Sequence, residues 1–339
     1  MEIRKRAGLS LPVTASDSSQ IGHARRLAVA MAGAMGFSDV RQGQLGIIIT
    51  EAAGNIAAHA QQGEIVLIPW EFRGDCGIDV LALDSGKGIA DIGRSLEDGF
   101  STAGTPGQGL GAMSRLSSAL QIYSSPGNGT VLFARVVRES ASAEVGARDY
   151  SLGVVSLPIV GETACGDAWK AVYTPGRSIY IVADGLGHGP AAAEAAAEAL
   201  RIFAETAHLS PTRILEDAHG ALAKTRGAAV AIAEVDHAKG LLNYAGVGNI
   251  AGAILQGSKT RSMVSMNGTL GHTIGRIQQF AYPWEKDSSL IMHSDGLATR
   301  WNFEKYPGLS GRHPALMAGV LYRDFCRKRD DVTILITRI

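Results

Sequence analysis

Cysteine is scarce in this chain of 339 residues: three, Cys76, Cys165 and Cys326, stand far apart. That spacing supplies neither a disulfide framework nor a thiolate metal site. Net charge is missing too, because 32 basic residues face 32 acidic ones. There is then no electrostatic footprint for nucleic acid or an anionic membrane. No apolar run is long enough to span a bilayer. The opening MEIRKRAGLSLPVTASDSS is basic, but its apolar stretch is short and broken by polar residues, which argues against a signal peptide. Together these absences predict a cytoplasmic protein with neither nucleic acid nor membrane as a partner.

Glycine, by contrast, is plentiful at 42 residues, in a chain that is 46% hydrophobic. The glycines are too dispersed for a linker or a fibrous repeat. They predict tight turns and close backbone approaches, as phosphate-handling enzymes need. The length exceeds what one ordinary core organises, so two domains are expected. Apolar spacing predicts helices over residues 18–36 and 42–60, then strands EIVLIPWEF and GIDVLALD around the turn RGDCG. A glycine-rich stretch, a helix and the strands LQIYSS and TVLFARVV, joined by PGNG, follow. Residues 139–148, ESASAEVGAR, are small, polar and without periodicity, and read as a linker. Beyond them strands dominate, interrupted by helices expected over 190–207, 211–225 and 313–329. This pattern predicts an α+β chain whose back half is a layered sandwich.

Three motifs in the front half suit a nucleotide. Glu51 and Asn55, four apart on an otherwise apolar helix, project from one face. Asp84-Ser85-Gly86-Lys87-Gly88 ends an apolar strand, where a carboxylate can accept from an exocyclic amine and glycines let backbone pass a flat ring. Gly104-Thr105-Pro106-Gly107-Gln108-Gly109-Leu110-Gly111 opens a helix and offers backbone amides and a positive dipole end to phosphate.

In that order the motifs resemble the GHKL ATPase family, the Bergerat fold, over residues 10–138. ExxxN is Glu51 to Asn55, DxGxG is Asp84 to Gly88, and GxGLG is Gly107 to Gly111. The wording around them looks like the small serine kinases of the RsbT and RsbW type, RsbT more than RsbW. The resemblance implies a GHKL α/β sandwich, ATP with Mg²⁺, Asn55 as the Mg²⁺ ligand and Asp84 as the adenine contact. Gly86 and Gly88 would lie along the nucleotide, Gly107, Gly109 and Gly111 at the phosphates, and Thr130 would be a second adenine-side hydroxyl. Glu51 would be the general base or the group orienting the attacking hydroxyl.

The back half carries acidic residues at strand ends or beside glycine: Asp167, Asp184, Asp295 and the pair Asp330-Asp331. Buried carboxylates gathered without bases need cations. Oxygen ligands select Mg²⁺ or Mn²⁺ over zinc, and two such ions can clamp a phosphoryl group and activate water. The set resembles the SpoIIE/RsbX/RsbU branch of the PPM-type Ser/Thr phosphatases from about Tyr150 onward. GD is Gly166-Asp167, ADGxGHG is Ala183 to Gly189, SDG is Ser294 to Gly296, and the closing DDVT is Asp330 to Thr333. The resemblance implies an αββα sandwich and two Mn²⁺ or Mg²⁺ ions. Asp184 would be shared between them, Gly185 would bind through its carbonyl, and Asp167, Asp295 and Asp330 would be outer ligands. Between Asp330 and Asp331 the ligand role stays open, with Asp330 favoured. No arginine stands at the usual early position for holding substrate phosphate.

The domains expected are 1–138, an ATP-binding kinase-like module, 139–150, a linker, and 151–339, the phosphatase. Fused, they would set both sides of one serine or threonine phosphorylation in partner switching, as in stress responses. The resemblance implies a STAS-domain substrate (an anti-sigma antagonist or stressosome component), with a sigma factor or a regulatory cyclase or phosphatase as further partners. Competing expectations are an ATP site that only regulates the phosphatase and a front half that sequesters a sigma factor. His188 stays open between packing and phosphate contact. His59 is expected on a helix surface, Cys165 in the core, and Trp169, Trp284 and Trp301 as packing or rim residues.

Overall fold

Three alanines bring the first two helices together. Ala24, Ala28 and Ala32 recur every fourth residue of α1 (Ser19–Ala34) and are buried. Side chains this small let α1 lie close along α2 (Asp39–His59). The structure, a computed structural model, describes residues 4–5, 9–14, 19–60, 62–72, 75–95, 109–138 and 152–338. The chain forms two compact units, Gly8–Tyr150 and Ser151–Ile339, with Met1–Ala7 grouped with the second. Residues 139–150, expected as the linker, lie outside the described residues.

The two-residue β1 (Arg4–Lys5), in the segment grouped with the second unit, precedes β2 (Leu9–Thr14) of the first unit in the chain. Helix α2 is started by Ser38, whose side chain accepts from Arg41 N, and by Asp39 in the first turn. Its buried residues Leu45, Ile48, Ile49, Ala52, Ala53 and Ile56 follow one helical stripe. That stripe packs on the sheet formed by β2, β3 (Gln62–Phe72), β4 (Asp75–Asp84), β6 (Thr130–Val137) and β5 (Ala119–Ser124), antiparallel in that order. Glu51 and Asn55 fall off the stripe and are half-buried. The one-turn α3 (Ile92–Ser95) and α4 (Gly109–Leu116) lie between β4 and β5 in the chain.

The second unit has two antiparallel five-stranded sheets. The first runs β14 (Gln279–Pro283), β11 (Leu241–Val247), β10 (Ala228–Asp236), β9 (Arg177–Gly185), β8 (Asp167–Thr174). The second runs β13 (Lys259–Met263), β12 (Ala251–Gln256), β15 (Ser289–His293), β16 (Val332–Arg338), β7 (Leu152–Leu157). Helices α5 (Pro190–Thr206) and α6 (Pro211–Leu222) cover the first sheet in one apolar cluster. The buried face of α5 is Ala192, Ala195, Ala196, Ala199 and Phe203, small at the end nearest the acidic strand terminus. Helix α7 (Pro314–Phe325) lies on the second sheet, so close that a Cβ on Gly153 would be 1.9 Å from Ala315 N. The layers are therefore helix, sheet, sheet, helix. Tyr180 of one sheet reaches Thr337 of the other, oxygen to oxygen 3.4 Å. Among the described residues, no helix is long and apolar enough to cross a membrane.

Candidate functional site

In the first unit a cavity of about 490 Å³ is lined by Glu51, Asn55, Asp84, Gly88, Gly109 and Thr130, among others. Strand register builds one wall: Gly63, Asp84, Thr130 and Ser124 stand in a row across β3, β4, β6 and β5. Asp84 Oδ1 accepts from Gly86 N at 2.8 Å and Thr130 N at 3.2 Å. Ser124 Oγ donates to Gly129 O and accepts from Ile89 N, both at 2.8 Å, and lies 3.0 Å from Thr130 Oγ1. Gly129 N and Gly127 N donate to Gly86 O and Lys87 O at 2.9 Å each. The two glycine turns are thereby joined. Only glycine fits at Gly88, where φ is +73° and a Cβ would sit 2.2 Å from Ser125 O.

The opposite end of the cavity is where α2 meets α4. A Cβ on Gly109, the first residue of α4, would lie 2.4 Å from Glu51 Oε2. Gly111 is buried two residues further into the helix. Gly107 and the loop before it lie outside the described residues. His59 also lines the cavity, and its imidazole pKa is lowered by burial first and the Lys87 charge second, against Asp84. A carboxylate at one end, an amide beside Glu51 and a glycine-lined helix start at the other are a donor set that fits Mg-ATP.

In the second unit a cleft of about 500 Å³ is lined by Asp184, Asp295 and Asp330, with Gly187, Asn249 and Asn267 among its other residues. Asp184 is the penultimate residue of β9 and pairs in register with Asp167 of β8. Asp167 is buried and does not line the cleft; its Oδ2 accepts from Ser294 Oγ at 2.6 Å. The same Ser294 Oγ accepts from Thr333 N at 2.9 Å. Asn249 Nδ2 donates to Asp295 Oδ2 at 2.8 Å. Asp331 turns away: its oxygens accept from Ile159 N and Gly166 N, each at 2.7 Å. Gly185 is pressed on α5, where a Cβ would be 2.0 Å from Ala192 O.

Burial, then the charges of Asp167, Asp295, Asp330 and Asp331 in that order, push the Asp184 carboxyl up to about 9. A cleft that resists ionisation this strongly is suited to hard divalent cations, which its all-oxygen donors fit. Among the described residues, no three such side chains converge closely enough to enclose a single ion.

Residues 14–136 match the histidine kinase-like ATPase domain, and residues 174–339 match stage II sporulation protein E (SpoIIE). The serine/threonine-protein kinase RsbT of Bacillus subtilis is 39% identical over 107 residues, which are 32% of this chain and 80% of RsbT. The chain is a fusion of an RsbT-type GHKL kinase domain and a SpoIIE-type PPM phosphatase domain. A solved structure from work on the bacterial stressosome as a modular system superposes with TM-score 0.52 at 28% identity, covering 55% of this chain and 98% of its own. RsbX in complex with magnesium gives TM-score 0.47 at 24% identity over 54% of this chain and 92% of its own.

In the RsbT-type domain the structure brings Glu51, Asn55, Asp84, Gly88, Gly109 and Thr130 to one cavity, with Gly86 bonded to Asp84. In the SpoIIE-type domain Asp184, Asp295 and Asp330 meet in one cleft. His188 is exposed and pairs with Glu162 at 2.9 Å, so it is neither packed nor in the cleft lining. His59 is half-buried in the cavity wall, deeper than a helix-surface position. Cys165 is buried near Ser156. Trp169 and Trp284 are buried, and Trp301 donates to His293 Nε2 at 3.2 Å. Ser124 and Asn249 escaped the sequence reading, since a single serine or asparagine carries no motif. The pair Asp79–Arg135 also escaped it: a buried two-pronged bond at 2.7 Å, with Trp70 donating to the same carboxylate.

Proposed function

We propose that this enzyme writes and erases one phosphate on a STAS-domain protein, an anti-sigma antagonist or stressosome component. The kinase half would span residues 1–138 and the phosphatase half 151–339, joined by 139–150. The observation that carries the reading is the meeting of Asp184, Asp295 and Asp330, from three separate segments, in one cleft where the Asp184 carboxyl is pushed up to about 9. Likeness to RsbT, a serine/threonine-protein kinase, and to a stressosome structure supports both the chemistry and the partner class.

In the kinase half, Asp84 would accept from the adenine amine and Asn55 would hold the Mg²⁺ of ATP. Glu51 would orient the substrate hydroxyl or take its proton, from its place against the start of α4. In the phosphatase half, Asp184 and the Gly185 carbonyl, with Asp167, Asp295 and Asp330, would hold two Mn²⁺ or Mg²⁺ ions. Bound there, the ions would supply positive charge to the phosphoryl oxygens and lower the pKa of an attacking water. Ser294 keeps Asp167 oriented and Asn249 keeps Asp295 oriented. We assign the activity to the cytoplasm, the compartment that holds ATP.

The test uses the full chain and a purified STAS domain. With Mg-ATP, Glu51→Ala is expected to abolish phosphorylation and leave dephosphorylation intact; with Mn²⁺ and phosphorylated substrate, Asp184→Ala is expected to do the reverse. Absence of transfer by Asp184→Ala would reduce the front half to a regulatory ATP site. Retained phosphatase activity in Asp184→Ala would overturn the metal assignment.

A further inference from the structure

The acidic cleft poses a charge problem that its own lining does not solve. Of its described lining residues three are carboxylates and none is basic. A phosphomonoester dianion entering it is repelled unless cations face it. Divalent ions would neutralise the carboxylates from the floor, but the outward phosphoryl oxygens also need a donor. A planar guanidinium fork is suited to that task.

Arg226 stands at the required place. The register of β10 on β9 pairs Ala228 with Gly185 and Ala229 with Asp184. Continued past the strand ends, the same register sets Arg226 across from Gly187. Leu186 N donates to Gly227 O at 3.0 Å, which keeps the two segments together beyond the strands. Arg226 Nη1 lies 3.2 Å from where a Cβ on Gly187 would be, and Gly187 lines the cleft.

The segment carrying Arg226 is held firmly. Thr225 Oγ1 accepts from Gly227 N at 3.0 Å, Arg226 O lies 2.8 Å from His272 Nε2, and Ala228 exchanges backbone bonds with Leu270. The side chain is exposed, and among the described residues no carboxylate pairs with its guanidinium. A fixed backbone with an uncommitted cation at the rim is the arrangement of a ligand-binding arginine, not of a structural one.

We propose that Arg226 grips the substrate phosphate in the phosphatase cleft, doing the work of the arginine absent from the early position. This rests on the phosphatase reading above.

Titration calorimetry of inorganic phosphate into the Mn²⁺-loaded full chain tests it, with Arg226→Ala, Arg226→Lys and Asp184→Ala alongside. Arg226→Ala is expected to weaken phosphate about tenfold, the order of one lost charge-assisted hydrogen bond. Arg226→Lys should fall between, and Mn²⁺ affinity and unfolding temperature should not change. With p-nitrophenyl phosphate the same variant should raise KM and the product-inhibition constant about tenfold, with a much smaller effect on kcat. Any phosphate bound in the ATP cavity is common to both proteins and drops out of the comparison. Equal phosphate affinity in wild type and Arg226→Ala overturns the assignment and leaves the phosphatase reading standing. An Arg226→Ala protein that loses Mn²⁺ as well as phosphate also overturns it. No Mn²⁺-dependent phosphate binding by wild type, with Asp184→Ala indistinguishable from it, overturns the phosphatase reading as well.

Discussion

Gly109 stands so close to Glu51 that a methyl group on it would come within 2.4 Å of the glutamate's Oε2. The atom struck is the far end of a flexible side chain, so Gly109→Ala should move the carboxylate, not unfold the domain. Alanine also favours a helix by up to about 1 kcal/mol over glycine. The expectation is an unchanged or slightly raised unfolding temperature, with phosphate transfer reduced at least tenfold. A radioactive transfer assay beside a thermal melt checks it. Normal transfer would show that the position of Glu51 is not critical.

The electrostatics of Asp184 predict an inverted pH response. The group has an ordinary pKa of 3.8 and is pushed up to about 9 in the folded, metal-free cleft. Between those values the unfolded chain binds fewer protons than the folded one, so stability falls as pH rises. Without metal, the phosphatase domain's unfolding temperature should drop between about pH 5 and pH 8.5, and Mn²⁺ should restore it. Asp184→Asn should flatten the metal-free curve and remove most of the Mn²⁺ response. A metal-free melt independent of pH would refute this account.

The neighbours Asp330 and Asp331 should part company on mutation. Asp331 is 2% exposed and accepts two backbone amides at 2.7 Å, so Asp331→Ala leaves both without a partner. That should destabilise the protein by about 2–4 kcal/mol. Asp330 lines the cleft, and among the described residues it accepts only its neighbour's amide. Asp330→Ala should change stability by less than about 1 kcal/mol while weakening Mn²⁺. Urea midpoints and a Mn²⁺ titration separate the two. The reverse pattern would move the ligand role to Asp331.

The sequence made the fold legible where periodicity is long. The helix expected over 42–60 is Asp39–His59; it starts earlier because Ser38 caps it and Asp39 sits in its first turn, polar residues that apolar spacing does not register. The strand Gln279–Pro283 carries a weak signal: QFAYP is five residues long, holds a proline, and forms an edge paired, among the described residues, with β11 alone. In the sites, most motif residues meet because their motifs stand at strand ends or open a helix, whereas Glu51 and Asn55 project from within α2. The supporting contacts were not legible. Ser124 meets Ile89 across 35 positions and Ser294 meets Asp167 across 127, and neither distance leaves a local pattern. Arg226 was hidden for the same reason, since only the β9–β10 register brings it to Gly187.

Ser294 has one proton and gives it to Asp167 of the first sheet, while its oxygen receives Thr333 N from the second. A slip of one sheet past the other by an ångström would break one bond or the other. The alignment of the two sheets is thereby tied to the direction of a single buried carboxylate, Asp167.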